Sequence, residues 1–195
     1  MKAVIFIDVQ NDFIDGALGV DKDKAISNKI VKYAYTNKCE HVPLMATRDT
    51  HYDDESLRGT GTNYEDTLEG KKLPVKHCIE NTDGWQLYSA LNSLVPADNI
   101  ISKRTFGSIQ NLPDKLGDID YNLKQIYGNG ITEIELCGFC TDICVISNAL
   151  ILRATFPNLK ISILENLCAG TTPENHAAAL AVAKCNQIEV VDAIV

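Results

Sequence analysis

No stretch of this chain approaches the roughly 18 consecutive apolar residues that a membrane-spanning helix needs, so no membrane partner is expected. Basic residues are in deficit: 18 Lys and Arg stand against 26 Asp and Glu, for a formal net charge of −8. A surface of that sign has no electrostatic footprint for nucleic acid or an anionic bilayer. The opening MKAVIFIDVQNDF reaches Asp8 before a long apolar run can build, so no secretory signal is expected. The seven cysteines are odd in number and scattered, which does not make a disulfide framework. Without export their thiols stay reduced, so the expected location is cytoplasmic. Internal repeats, low-complexity tracts and dividing linkers are also lacking. A length of 195 residues with 45% hydrophobic content then predicts one domain over residues 1–195, with a sizeable core.

What is present is an alternation. Short apolar runs read as strands: AVIFID (3–8), HVPLMATRD (41–49), NIISK (99–103), TEIELCG (132–138), KISILEN (160–166) and QIEVVD (187–192). Between them lie helical patterns at 24–37, 84–94, up to Gly128 or Gly130, 141–155 and 172–185. Six alternations predict an α/β fold, with three α/β/α layers around a six-stranded, mainly parallel sheet. The strands are continuous apolar runs, as expected where both sheet faces are covered. Residues 50–81 break the rhythm. A polar, poorly periodic segment of that length in a compact domain is usually functional or disordered.

In open sheets of this kind, ligands sit beyond the carboxyl ends of the strands. The predicted strands deliver Asp8, then Asp49 and His51, then Lys103, then CGFCTDICV (137–145) to that edge. Cys137 and Cys140 have C-x-x-C spacing, but no second pair follows, so a zinc site is weakly supported. A redox pair normally opens a helix with its first cysteine, whereas Cys137 closes an apolar strand. Cys144 falls in the first turn of the predicted helix, with Thr141 as a candidate N-cap. Free backbone N–H groups there favour a thiolate and can hold an oxyanion. By position alone, a nucleophile and a small core residue are both open readings. Asp8 and Lys103 supply what a nucleophile needs, a base for the thiol proton and a cation to hold the charges. A snorkelling surface lysine is the bland reading of Lys103.

Asp49 and His51 are two apart, so on extended backbone they share a face. His77 is a candidate third ligand across the irregular segment, and Glu69 a candidate fourth. Two histidines and a carboxylate with open positions describe a catalytic metal site. The set suits zinc, with iron and manganese as alternatives.

VIFIDVQNDF, ATRDTH, LPVKHC, SKRTF and CGFCTDICV, in this order, resemble the isochorismatase-like cysteine hydrolases, and within them the nicotinamidase/pyrazinamidase branch. The resemblance runs from Ala3 to about Asp192. It implies Asp8, Lys103 and Cys144 as a catalytic triad, and Asp49, His51 and His77 as metal ligands with Glu69 near an acidic one. It further implies a cis peptide at Phe139–Cys140 and an oxyanion hole from the N–H groups of Cys140 and Cys144. Phe13, Leu73, Phe106 and Phe139 are its pocket positions. Leu73 stands near a tryptophan of that branch, and Phe106 where a tyrosine is common. The implied chemistry is deamidation of nicotinamide through a thioester at Cys144. The implied partner is a small-molecule amide, and the implied assembly a homo-oligomer. Relatives acting on carbamoyl or ureido compounds, and silent scaffold members of the fold, are the alternatives. His41, His176, Trp85 and the remaining thiols Cys39, Cys78, Cys168 and Cys185 read as structural.

Overall fold

The computed structural model describes residues 1–195. Six strands form one sheet: β1 (Lys2–Ile7), β2 (Leu44–Asp49), β3 (Ile100–Lys103), β4 (Glu133–Phe139), β5 (Lys160–Ala169) and β6 (Glu189–Val191). Their order is β3-β2-β1-β4-β5-β6, and every neighbouring pair is parallel. Residues 3–7 of β1 are all buried, so both faces of the central strand are covered, as the unbroken apolar run AVIFI requires. The α/β class and six parallel strands are those the sequence predicts.

The long helices are α1 (Ala25–Cys39), α2 (Asn111–Tyr127), α3 (Ile146–Thr155) and α4 (Pro173–Cys185). Helix α1 packs on β2, β4 and β5, while α3 and α4 pack on each other and on β5. Helix α2 ends at Gly128, whose φ of 73° places it in the left-handed cap that glycine favours. Helix α4 opens with Pro173 behind the Thr172 cap, whose hydroxyl accepts from Asn175 N. No helix is long and apolar enough to cross a membrane.

Three predicted elements differ. The second strand begins at Leu44, after Pro43, which has no N–H for a sheet ladder. The helix predicted at 84–94 shrinks to Ser89–Asn92. Residues 83–86 instead make a turn, Gln86 N donating to Asp83 O, that receives the short helix Asn11–Ile14: Asn11 N donates to Gln86 O, Asp12 N donates to Gly84 O, and Leu87 bridges Gln10. The helix predicted at 141–155 opens with a wide π-type turn over Thr141–Val145 and becomes α-helical only at Ile146. Thr141 is not its N-cap. Cys140 holds that place, and the Thr141 hydroxyl pairs with His176 Nδ1 at 2.8 Å.

The chain reverses direction across the sheet between β1 and β4, which opens a crevice at their carboxyl ends. Gly138 makes the approach there possible. A Cβ at that position would lie 2.0 Å from Ile7 O, and its φ of 127° suits glycine alone.

Candidate active site

Asp8 follows β1 with a φ of 48°, a left-handed conformation uncommon for a residue with a side chain. Its carboxylate is thereby turned into the crevice and fully buried. Thr47 donates its hydroxyl to Asp8 Oδ1 at 2.7 Å. Lys103 Nζ stands 2.7 Å from Asp8 Oδ2 in a buried ion pair. The same Nζ is 3.6 Å from Cys144 Sγ and 3.3 Å from Asp49 Oδ1. Lys103 is therefore buried among three groups of opposite or potential opposite charge, and the snorkelling reading fails.

Burial sets the protonation states, and the charges modify them. Burial disfavours the Lys103 cation, yet Asp8, Cys144 and Asp49 outweigh it and hold its pKa well above the usual lysine range. Burial pushes Asp8 up, against the pull of Lys103. It also pushes the Cys144 thiol up, with Lys103 opposing. Burial and the neighbouring carboxylates favour the thiol form of Cys144, so any nucleophilic role for it calls for a base to take the proton.

The second cluster is built by backbone pairing. His51 N donates to Cys78 O at 2.9 Å and Glu80 N donates to His51 O at 2.9 Å, which ties the end of β2 to the segment carrying His77. Glu69 arrives on a short helix, Leu68–Lys72, whose Gly70 lies so close to Tyr64 that a Cβ would meet Tyr64 O at 2.0 Å. One donor atom from each of Asp49, His51, Glu69 and His77 falls within 4.8 Å of the others. His51 Nε2 is 2.9 Å from Asp49 Oδ2, and His77 Nε2 is 3.4 Å from Glu69 Oε1. His77 Nδ1 is 2.9 Å from Val75 O, which orients the ring and leaves Nε2 for the cluster. Burial raises the Asp49 carboxyl, but Lys103 and the two histidines overcome it and hold its pKa at about 2. Two imidazole nitrogens and two carboxylates, buried and convergent, fit a divalent metal.

The two clusters share a residue. Asp49 turns Oδ1 to Lys103 and Oδ2 to His51. The sheet register makes this possible, since Asp49 and Lys103 are directly paired across β2 and β3. A cavity of about 860 Å³ opens over both clusters, lined by Phe13, Leu73, Phe106, Cys140 and Cys144 among others. Phe139 does not line it. This pocket expectation is corrected: Phe139 ends β4 with 0% exposure, packed inside the core. The Phe139–Cys140 peptide is cis. The Cys140 N–H has no acceptor within the protein, and Cys140 O is occupied by Ile143 N and Val145 N.

Three residues that sequence reading passed over hold these groups. Gln10 is buried and locks the end of β2: its Oε1 accepts from Asp49 N at 2.7 Å and its Nε2 donates to Asp49 O at 2.9 Å. Asn148, also buried, donates to Cys144 O at 2.8 Å and to Phe106 O at 3.1 Å, and accepts from Ser108 N at 2.9 Å. Tyr64 packs its ring 4.9 Å from His51 and 5.3 Å from His77, with its hydroxyl donating to Leu73 O at 2.6 Å. A polar side chain inside an apolar pattern was the available signal for Gln10 and Asn148, because buried amides need partners. Of the residues read as structural, His176 holds Thr141 beside the Cys144 turn, and Trp85 donates to the Thr50 hydroxyl.

Known proteins share this arrangement of chain. The nicotinamidase/pyrazinamidase of Mycobacterium tuberculosis is 26% identical over 196 residues, which span 98% of each chain. The nicotinamidase of Schizosaccharomyces pombe is 27% identical over 97% of this chain and 92% of that protein. The crystal structure of the pyrazinamidase of Pyrococcus horikoshii in complex with zinc superposes with a TM-score of 0.74, at 26% identity, over 98% of this chain and 99% of that one. The isochorismatase domain matches residues 2–194, a span that holds all six strands and both clusters, and the chain belongs to that family.

Proposed function

We propose that this protein is a metal-assisted cysteine amidohydrolase that converts nicotinamide to nicotinate and ammonia, within a single domain over residues 1–195. The observation that carries the reading is the shared carboxylate: Asp49 ties a Cys–Lys–Asp group to a four-donor metal cluster in one cavity. The names of the relatives above support the same chemistry.

Cys144 Sγ attacks the carboxamide carbon and its proton passes to Asp8, the buried carboxylate that shares Lys103 with it. The N–H groups of Cys140 and Cys144 hold the negative charge that develops on the carbonyl oxygen. The C–N bond breaks, and ammonia leaves with the proton from Asp8. Water then attacks the thioester carbon, Asp8 takes its proton, and Cys144 departs as the thiol to leave nicotinate. Lys103 stays charged throughout and balances Asp8 and the sulfur in a site where an uncompensated charge would be costly. Asp49, His51, Glu69 and His77 would hold a divalent cation, with zinc the first candidate, that supplies a Lewis acid for the pyridine nitrogen and orients the ring.

Ammonia release from nicotinamide by zinc-loaded protein is the test, with Cys144→Ala and chelated samples beside it. The expected result is release that Cys144→Ala abolishes and that chelation lowers about 100-fold. Folded, metal-loaded protein that releases none overturns the nicotinamide assignment.

A further inference from the structure

The inner and outer halves of the cavity differ in chemistry. Its floor gathers the reactive groups, Cys144 and the four candidate ligands. Its rim gathers apolar side chains from four separate segments, Leu18, Leu68 and Leu73, Phe106, and Ile143, with Lys72 and Arg104 beside them. Leu68 is 74% exposed, Phe106 46% and Leu73 38%. Single exposed apolar residues are ordinary, but several converging on the mouth of a reactive cleft form a binding surface.

Size points the same way. A cavity of about 860 Å³ lies near the top of the range of roughly 300–1,000 Å³ that takes drug-sized ligands, and one ring with a carboxamide fills little of it. The rim is also held in place. Leu73 O accepts the Tyr64 hydroxyl, Phe106 O accepts from Asn148, and the Thr67 hydroxyl accepts from Gly70 N at the start of the Leu68 helix. Arg104, beside Phe106, spends its guanidinium on Thr62 O and the Tyr52 ring and straps the irregular segment down. A wall fixed by this many hydrogen bonds is preformed for a ligand, and its apolar character sets which ligand.

From this we infer that the preferred substrates are primary aromatic carboxamides with an apolar extension on the ring, a fused or appended second ring lying against Leu68, Leu73 and Phe106. The inference rests on the amidohydrolase reading and narrows its substrate class.

The test compares kcat/KM for nicotinamide, quinoline-3-carboxamide and 5-phenylnicotinamide with zinc-loaded wild-type protein and a Leu68→Ser variant. At least one extended amide is expected to match or exceed nicotinamide, and Leu68→Ser to lower that ratio at least about threefold, as loss of an apolar contact would. Cleavage of nicotinamide with both extended amides below it overturns the inference and leaves the amidohydrolase reading intact. If folded, zinc-loaded protein cleaves none of the three amides, the amidohydrolase reading falls and the inference falls with it.

Discussion

The two halves of the site are made by different kinds of chain. Asp8, Lys103 and Cys144 come from the ends of β1 and β3 and the turn after β4, where parallel pairing fixes each backbone against its neighbour. Three of the four candidate ligands, His51, Glu69 and His77, come from the irregular stretch after β2, held by an isolated bridge at His51, a short helix and the Tyr64 ring. The difference has a physical logic. Bond-making groups must keep sub-ångström relations, and a sheet supplies them. Groups that select a substrate can sit on a loop that is free to vary around the same sheet.

Breaking the sheet-borne half should cost most. Cys144→Ala is expected to lower kcat/KM for nicotinamide by about 10⁴-fold or more, and Asp8→Asn by about 10²–10⁴-fold, measured by ammonia release at matched zinc occupancy. A residual rate within tenfold of wild type in Cys144→Ala would remove the thioester route. Breaking the loop-borne half should cost less. His77→Ala, or chelation of the wild type, is expected to reduce activity about 100-fold. Added zinc should restore the chelated wild type and not the variant; equal restoration of both would exclude His77 as a ligand.

A smaller loss is expected where the halves are braced. Asn148→Ala leaves Cys144 O, Phe106 O and Ser108 N without their partner, and should lower stability by about 2 kcal/mol and kcat/KM about tenfold. Urea titration and kinetics on the folded fraction separate the two effects, and an unchanged kcat/KM would confine Asn148 to stability. The smallest change belongs to Tyr64→Phe, which removes only the hydrogen bond to Leu73 O. About 1 kcal/mol of stability should go, with the ring contacts to both histidines retained. A loss above about 3 kcal/mol would mean that the hydroxyl has a larger role than one neutral hydrogen bond.

Strands were the most legible elements because buried parallel strands are written as unbroken apolar runs, and β1, β4 and β5 all fall within or across their predicted spans. The reactive residues were legible for a related reason: Asp, Lys and Cys at successive strand ends are poor choices for packing alone. Long-range pairing was not legible. Nothing in GWQLYSALNSL shows that Gln86 and Gly84 will accept from Asn11 and Asp12 rather than continue a helix. The family resemblance put Phe139 among the pocket positions, and only the folded chain shows it on the core side of the crevice. The sharing of Asp49 was hidden too. Two clusters read separately become one only when β2 and β3 are in register.

That shared carboxylate decides where the metal preference of the site can be re-engineered. Asp49 faces both Lys103 and His51, so on the proposed reading a change made to suit another cation would also disturb Lys103 and the Cys144 beside it. Glu69 contacts the two histidines and no member of the Cys–Lys–Asp group, and it rides on a five-residue helix at the edge of the cavity. Under the proposed function it is the adjustable candidate ligand: replacing it with aspartate, histidine or glutamine would retune hardness and coordination number and leave the Cys–Lys–Asp group untouched.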